Sequence, residues 1–292
     1  MAITVNTNIP SLTAQKSMNN ATTRMNTAME RMTTGLKINS SKDDAAGMAV
    51  ANKLDYKISS LNVAQNNGQM GTSMLDTAEG VLNVINDNLV RIRDLTEQAA
   101  NGTYGSDAMT AIETEVQARM DEITRLAQSS EFNGKILFNP DDKSKNGIKA
   151  DITLQVGIKS DESSQIKLSK DLFKSAAASA LFKGAANVNK GDFSKVFDSD
   201  ENARTFLTAL DTALADITSR TTLLGGYQQR IISAMDAAGV METNLTSAKS
   251  LIEDADIAEE SSNYIKQQIL QQTSASLLAT ANQAPSIALN LV

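Results

Sequence analysis

Apolar residues recur in alternating steps of four and three through Phe206, Leu210, Ala213, Ile217, Leu224, Tyr227, Ile231, Ala234, Ala238, Met241, Leu245, Ala248 and Ile252, with Arg220 the one polar residue on the stripe. A stripe this long predicts a coiled-coil seam on one helix about 70 Å in length, at roughly 1.5 Å per residue. The N-terminal half carries the same alternation through Leu75, Ala78, Leu82, Ile85, Leu89 and Ile92. Leu54, Ile58 and Leu61 extend it upstream, and Met18, Ala21, Met25, Ala28 and Met32 repeat it earlier still. After the turn sequence NGTYG, a third helix is expected over Ala108 to Leu126, with Ile112, Val116, Ile123 and Leu126 inward. Matching seams at opposite ends of one chain are buried most economically against each other.

The middle reads differently. From Phe132 to Leu168 the period shortens, and KILF, DITLQVGI and SSQIKLS read as short strands with KSDESS as a polar hairpin turn. Lys174 to Asp200 has no firm period and reads as a loop-rich insertion. The predicted fold is mainly α: an elongated antiparallel helical bundle or coiled coil from both chain ends, with a small β-hairpin region in the middle. Two domains are expected. Residues 1–43 plus 252–292 form an inner coiled coil. Residues 44–251 form an outer helical bundle, with the hairpin region at about 132–170 and the insertion at about 174–200. Only Pro10, Pro140 and Pro285 interrupt these stretches.

Composition removes most chemistry. The 292 residues include no His, Cys or Trp. That excludes a thiolate nucleophile, an imidazole base, a Ser-His-Asp triad, a disulfide and the usual nitrogen and sulfur zinc site. No phosphate loop or nucleophile elbow is present either, so no catalytic, cofactor-binding or metal site is expected and the chain reads as a non-enzyme. The net charge of −7 opposes nucleic acid as a partner. The Gln- and Asn-studded 267–292 stretch opposes membrane insertion. MAITVNTNIP has neither the basic flank nor the apolar run of a cleaved signal, which on its own points to the cytoplasm.

Two acidic groups could suggest catalysis or cation binding. Asp43 and Asp44 directly precede AAGMAVANKL, so they read first as caps of a helix start, within a structured spoke between domains that includes Asn39. Glu253, Asp254, Asp256, Glu259 and Glu260 read as a solvated helix start and hinge. Charge is also missing where it is informative: Lys16 is the first ionisable side chain and Lys266 the last. Where many copies bring one segment to a common axis, any charge meets its own copies and is desolvated among them. Uncharged apolar ends therefore suit packing of the chain against copies of itself.

The stretches RMTTGLKINSSKDDAAGMAVANKL (31–54), TAEGVLNVINDNLVRIRDLTEQAANGT (77–103) and SLIEDADIAEESSNYIKQQILQQTSASLLATANQAPSIALNLV (250–292) resemble the N- and C-terminal regions of bacterial flagellin. The short middle suggests a compact form lacking a large variable outer domain. The resemblance implies an extracellular filament subunit for swimming motility, a helical homopolymer exported unfolded by the flagellar type III route without cleavage. It also implies an export chaperone at the C-terminal segment, and flagellar cap and junction proteins as partners. Leu82, Ile85, Leu89, Leu224, Ile231, Leu245, Ile265, Ile269, Leu277 and Leu278 are the expected assembly and packing residues. Arg91, Leu95 and Glu115 match the positions through which stimulatory flagellins meet the vertebrate Toll-like receptor for flagellin, although Leu95 also reads as packing and the other two as a surface pair. Ser160, Ser163 and Ser164 in the hairpin turn are candidate glycan acceptors by analogy with modified flagellins, and chance exposure of serine accounts for them equally well. Alternative readings are the hook-filament junction protein and an intracellular coiled-coil scaffold. A flagellin with a metallopeptidase insertion is excluded, because its HExxH motif needs histidines.

Overall fold

A computed structural model describes residues 7–139, 147–185, 188 and 193–289. The extreme ends of the expected inner domain and part of the 174–200 insertion lie outside these residues. The elements in order are α1 (Ile9–Thr34), α2 (Ala45–Ala99), α3 (Ser106–Ser129), β1 (Glu131–Phe132), β2 (Lys135–Ile136), β3 (Ile152–Gln155), β4 (Gln165–Leu168), the one-turn α4 (Ala178–Leu181), α5 (Asp200–Glu253) and α6 (Ile257–Leu289). The fold is mainly α, as the seams predict. Packing divides the chain into a terminal unit, residues 1–58 with 243–292, and a central unit, residues 59–242. The division falls inside α2 and α5, not at 43/44 and 251/252. The flanking turns of both helices belong to the terminal unit, where Lys249 reaches Asp55 at 2.7 Å.

In the terminal unit, α1 begins at Asn8, whose side chain accepts the Ser11 amide, with Pro10 in the first turn where no backbone donor is needed. It ends at Gly35, whose φ of 74° places it in the left-handed region while its N–H returns to the Arg31 carbonyl. Asp256 starts α6 by accepting the Ala258 and Glu259 amides. Three bonds set α1 antiparallel to α6: Arg31 to Glu260 at 2.9 Å, Gln271 to the Thr22 hydroxyl at 2.9 Å, and Asn8 to the Ala281 carbonyl at 2.7 Å. The buried residues of α1 are Ala14, Ala21 and Ala28, seven apart; those of α6 as far as residue 283 are Glu260, Gln267 and Ser274, also seven apart. Small and polar side chains thus form the fully buried line of the contact, with the half-buried Met18, Met25 and Met32 alternating along α1 beside it.

In the central unit the expected seams meet. Leu75, Ala78, Leu82, Ile85, Leu89 and Ile92 of α2 are fully buried with Val116, Met120 and Ile123 of α3 and Phe206, Leu210, Ile217, Leu224 and Ile231 of α5. Arg93 to Asp211, Gln228 to Asp76 and Gln65 to Glu242 make α2 and α5 antiparallel. Towards its C-terminal end α5 buries only every seventh residue, Leu224, Ile231 and Ala238. Met241, on the same predicted stripe, is exposed, so the buried face of α5 narrows there from the three-four stripe to one residue in seven.

β3 pairs with β4 in antiparallel register from Ile152 opposite Leu168 to Gln155 opposite Gln165. The β1–β2 hairpin turns at Asn133 and Gly134, whose φ values of 49° and 78° are those of a left-handed two-residue turn. The loop-rich reading of 174–200 is incomplete. Phe182 and Phe193 lie with Phe206 of α5 at centroid distances between 5.1 and 5.7 Å, so this segment closes one part of the core.

Candidate functional site

No group of three or more His, Cys, Asp or Glu among the described residues could hold a metal ion. No helix among them is long and apolar enough to cross a membrane.

The first surface is the outer face of α1 and α6. Ile9, Leu12 and Met29 of α1 and Ile257, Ile265, Ile269, Leu270 and Leu277 of α6 are exposed, Ile269 by 57%. Leu278 is half-buried. Among the expected assembly residues these differ in kind from Leu82, Ile85, Leu89, Leu224 and Ile231, which are fully buried within the central unit and hold it together. Leu245 is only half-buried in the terminal unit. Periodicity finds both groups but cannot say which face a second helix of the same chain will cover.

The spoke residues occupy the segment between α1 and α2. Asp43 accepts hydrogen bonds from the Ser40 hydroxyl and from the Ser40 and Asn39 amides; the Ser40 hydroxyl leads in holding its carboxyl below the ordinary value. Asp44 caps α2 by accepting the Ala46 and Gly47 amides. Asn39 donates to the Leu36 carbonyl. This segment is stitched to the helix junction opposite, where the Lys37 amide meets the Glu253 carbonyl at 2.6 Å and the Ala255 amide the Gly35 carbonyl at 2.9 Å. All three side chains thus bond to nearby backbone, which is the capping role the sequence suggests.

On the central unit, Arg91 Nε donates to Glu115 Oε1 at 3.2 Å, and Arg119, which also reaches Asn88, donates to the same oxygen at 3.1 Å. Burial would raise the Glu115 carboxyl, but the hydrogen bonds from Arg119 and Arg91 outweigh it and hold it below its ordinary value. Leu95 is 4% exposed and belongs to the core, so the accessible part of the predicted recognition trio is the ion-paired Arg91 and Glu115. In the β3–β4 connection Ser160 and Ser163 are exposed, and Ser163 donates to Asp161. Ser164 is buried and accepts the Lys159 amide, which removes it as an acceptor for a glycan.

The family is fixed by both ends of the chain. Residues 5–142 match the bacterial flagellin N-terminal helical region, and residues 207–292 match the bacterial flagellin C-terminal helical region. The chain belongs to the bacterial flagellin family. A flagellin of Xenorhabdus nematophila is 35% identical over 320 aligned residues, covering 100% of each chain. A flagellar filament 33 kDa core protein of Treponema phagedenis is 32% identical, covering 99% of each. A putative flagellar hook-associated protein from Vibrio parahaemolyticus aligns with a TM-score of 0.59 at 16% identity, over 72% of this chain and 99% of that one, a likeness of fold alone. Within this flagellin, Arg220 was the unexplained polar residue of the α5 seam. Its guanidinium is buried, bonding the Lys174 carbonyl at 2.9 Å and Asp216 one turn back, so it ties the segment before α4 onto α5.

Proposed function

We propose that the chain is the structural subunit of an extracellular bacterial flagellar filament, a non-enzymatic helical homopolymer used for swimming. The observation that carries this reading is the α1–α6 pair: its fully buried line is small and polar, while Ile265 and, on the uncharged stretch after Lys266, Ile269 and Leu277 are exposed. Copies of the same pair are the surface that would cover them. Full-length similarity to a filament core protein supports the same assembly. Export unfolded by the flagellar route suits a chain without cysteine, and an export chaperone would shield the outward face of α6 beforehand. Flagellar cap and junction proteins would then meet the growing end.

Deleting Gln267–Val292 tests the role of the pair. Seeded with filament fragments, the full chain is expected to elongate them and the truncated chain to remain soluble and helical; normal filaments from the truncated chain would refute it. A junction-protein role predicts instead a short band at the hook, which immunogold labelling of cells separates from labelling along the filament. The exposed Arg91–Glu115 pair supports a second property, recognition of the monomer by the vertebrate Toll-like receptor for flagellin. Signalling by the purified monomer should fall with Arg91→Ala; unchanged signalling, or none from either protein, would reject it.

A further inference from the structure

With no Cys in the chain, all of its sulfur is methionine thioether, and the 12 methionines are unevenly placed. From residue 13 to the end of α1, every large apolar side chain is a methionine: Met18, Met25, Met29 and Met32. Met18, Met25 and Met32 alternate with the buried Ala14, Ala21 and Ala28 and are half-buried, whereas Met29 is exposed. Since α6 buries Glu260, Gln267 and Ser274 there, these three thioethers are the bulky apolar part of what α1 brings to the contact. A small oxidant can reach a half-buried sulfur, and the product is a polar group at a site held together by little other apolar surface.

We propose that Met18, Met25 and Met32 form an oxidation-sensitive site on the unassembled subunit, with hydrogen peroxide as the class of oxidant, and that their conversion to sulfoxide loosens α1 from α6. The peroxide O–O bond breaks, one oxygen forms the S=O bond, the sulfur gives up two electrons, and the remaining oxygen leaves as water. The change is reversible by methionine sulfoxide reductases, which distinguishes it from cleavage or cross-linking. A consequence for filament growth rests on the assembly reading above; the loosening does not.

The test compares the full-length chain with its M18L/M25L/M32L variant, each before and after hydrogen peroxide. Peptide mass spectrometry locates the sulfoxides, amide hydrogen exchange follows α1, and seeded elongation follows growth. Exposed Met29, Met70 and Met241 oxidise in both proteins and serve as internal controls. The expected result is faster exchange along α1 and lost elongation in the oxidised parent alone, both restored by reductase. Unchanged α1 exchange with sulfoxide present at all three positions, or equal loss in the leucine variant, would overturn the proposal. If the untreated parent fails to elongate seeds, the assembly reading fails while the exchange comparison still decides the sulfoxide effect.

Discussion

Leu224 and Met241 lie on one predicted stripe of one helix within one packed unit, yet Leu224 is 0% exposed and Met241 55%. Leu224→Ala removes three carbons, worth about 0.8 kcal/mol each in transfer, or roughly 2.4 kcal/mol. The neighbouring helices run unbroken past the site, so the backbone cannot collapse into the gap and a cavity contribution adds to this. We expect about 3 kcal/mol in total, inside the ~2–5 kcal/mol span for fully buried leucine. At roughly 2–4 °C per kcal/mol for a domain of this size, the melting temperature falls by about 6–12 °C. Met241→Ala should stay within about 0.5 kcal/mol, because half its surface already meets water and alanine is the better helix former. Urea denaturation of the dilute monomer, followed by far-UV circular dichroism with matched m-values, measures both. Equal losses at the two positions, or a Leu224→Ala loss below about 1 kcal/mol, would refute the burial assignment rather than the seam.

Arg220→Met keeps most of the buried volume but loses the donor to the Lys174 carbonyl, and is expected to cost about 1–2 kcal/mol with faster amide exchange over 172–178. Arg220→Ala should cost more, since it adds a cavity where the side chain is 8% exposed. For Asp43, whose folded pKa lies below its ordinary 3.8, the stabilisation is present above the unfolded value and is lost as pH falls through the folded one. Protection of the Ser40 amide should therefore disappear on acidification below that range, and Asp43→Asn should remove the pH dependence. Gly134→Ala puts a Cβ on a residue at φ 78° and should lower stability by about 1 kcal/mol in calorimetry although space around it is open.

Three-four alternation carried the long helices because each seam position meets another seam, as Leu82 and Leu224 do in the central unit. It could not separate Leu224 from Met241, since burial at each turn of one stripe is a fact of three-dimensional packing. The Phe182, Phe193 and Phe206 cluster escaped because short turns carry neither helical nor strand period. The Asn133-Gly134 pair, by contrast, was an available hairpin signal that the strand reading of KILF passed over. Asp43 and Asp44 were legible as caps because capping is local in sequence, whereas Ser164 looked exposed because its burial comes from its own folded-back connection.

The alanine ladder of α1 has one more consequence. Helices whose fully buried line is Ala14, Ala21 and Ala28 against Glu260, Gln267 and Ser274 depend on close fit, a few hydrogen bonds and the half-buried methionines beside them. A neighbouring copy that covers Ile265, Ile269 and Leu277 on the folded pair, and has no affinity for the separated helices, adds RT ln(1 + [L]/Kd) to their stability. Order in the terminal unit then rises and falls with the local abundance of neighbours. Its two helices behave as a gauge of crowding by their own kind, set by the chain and read out by its surroundings.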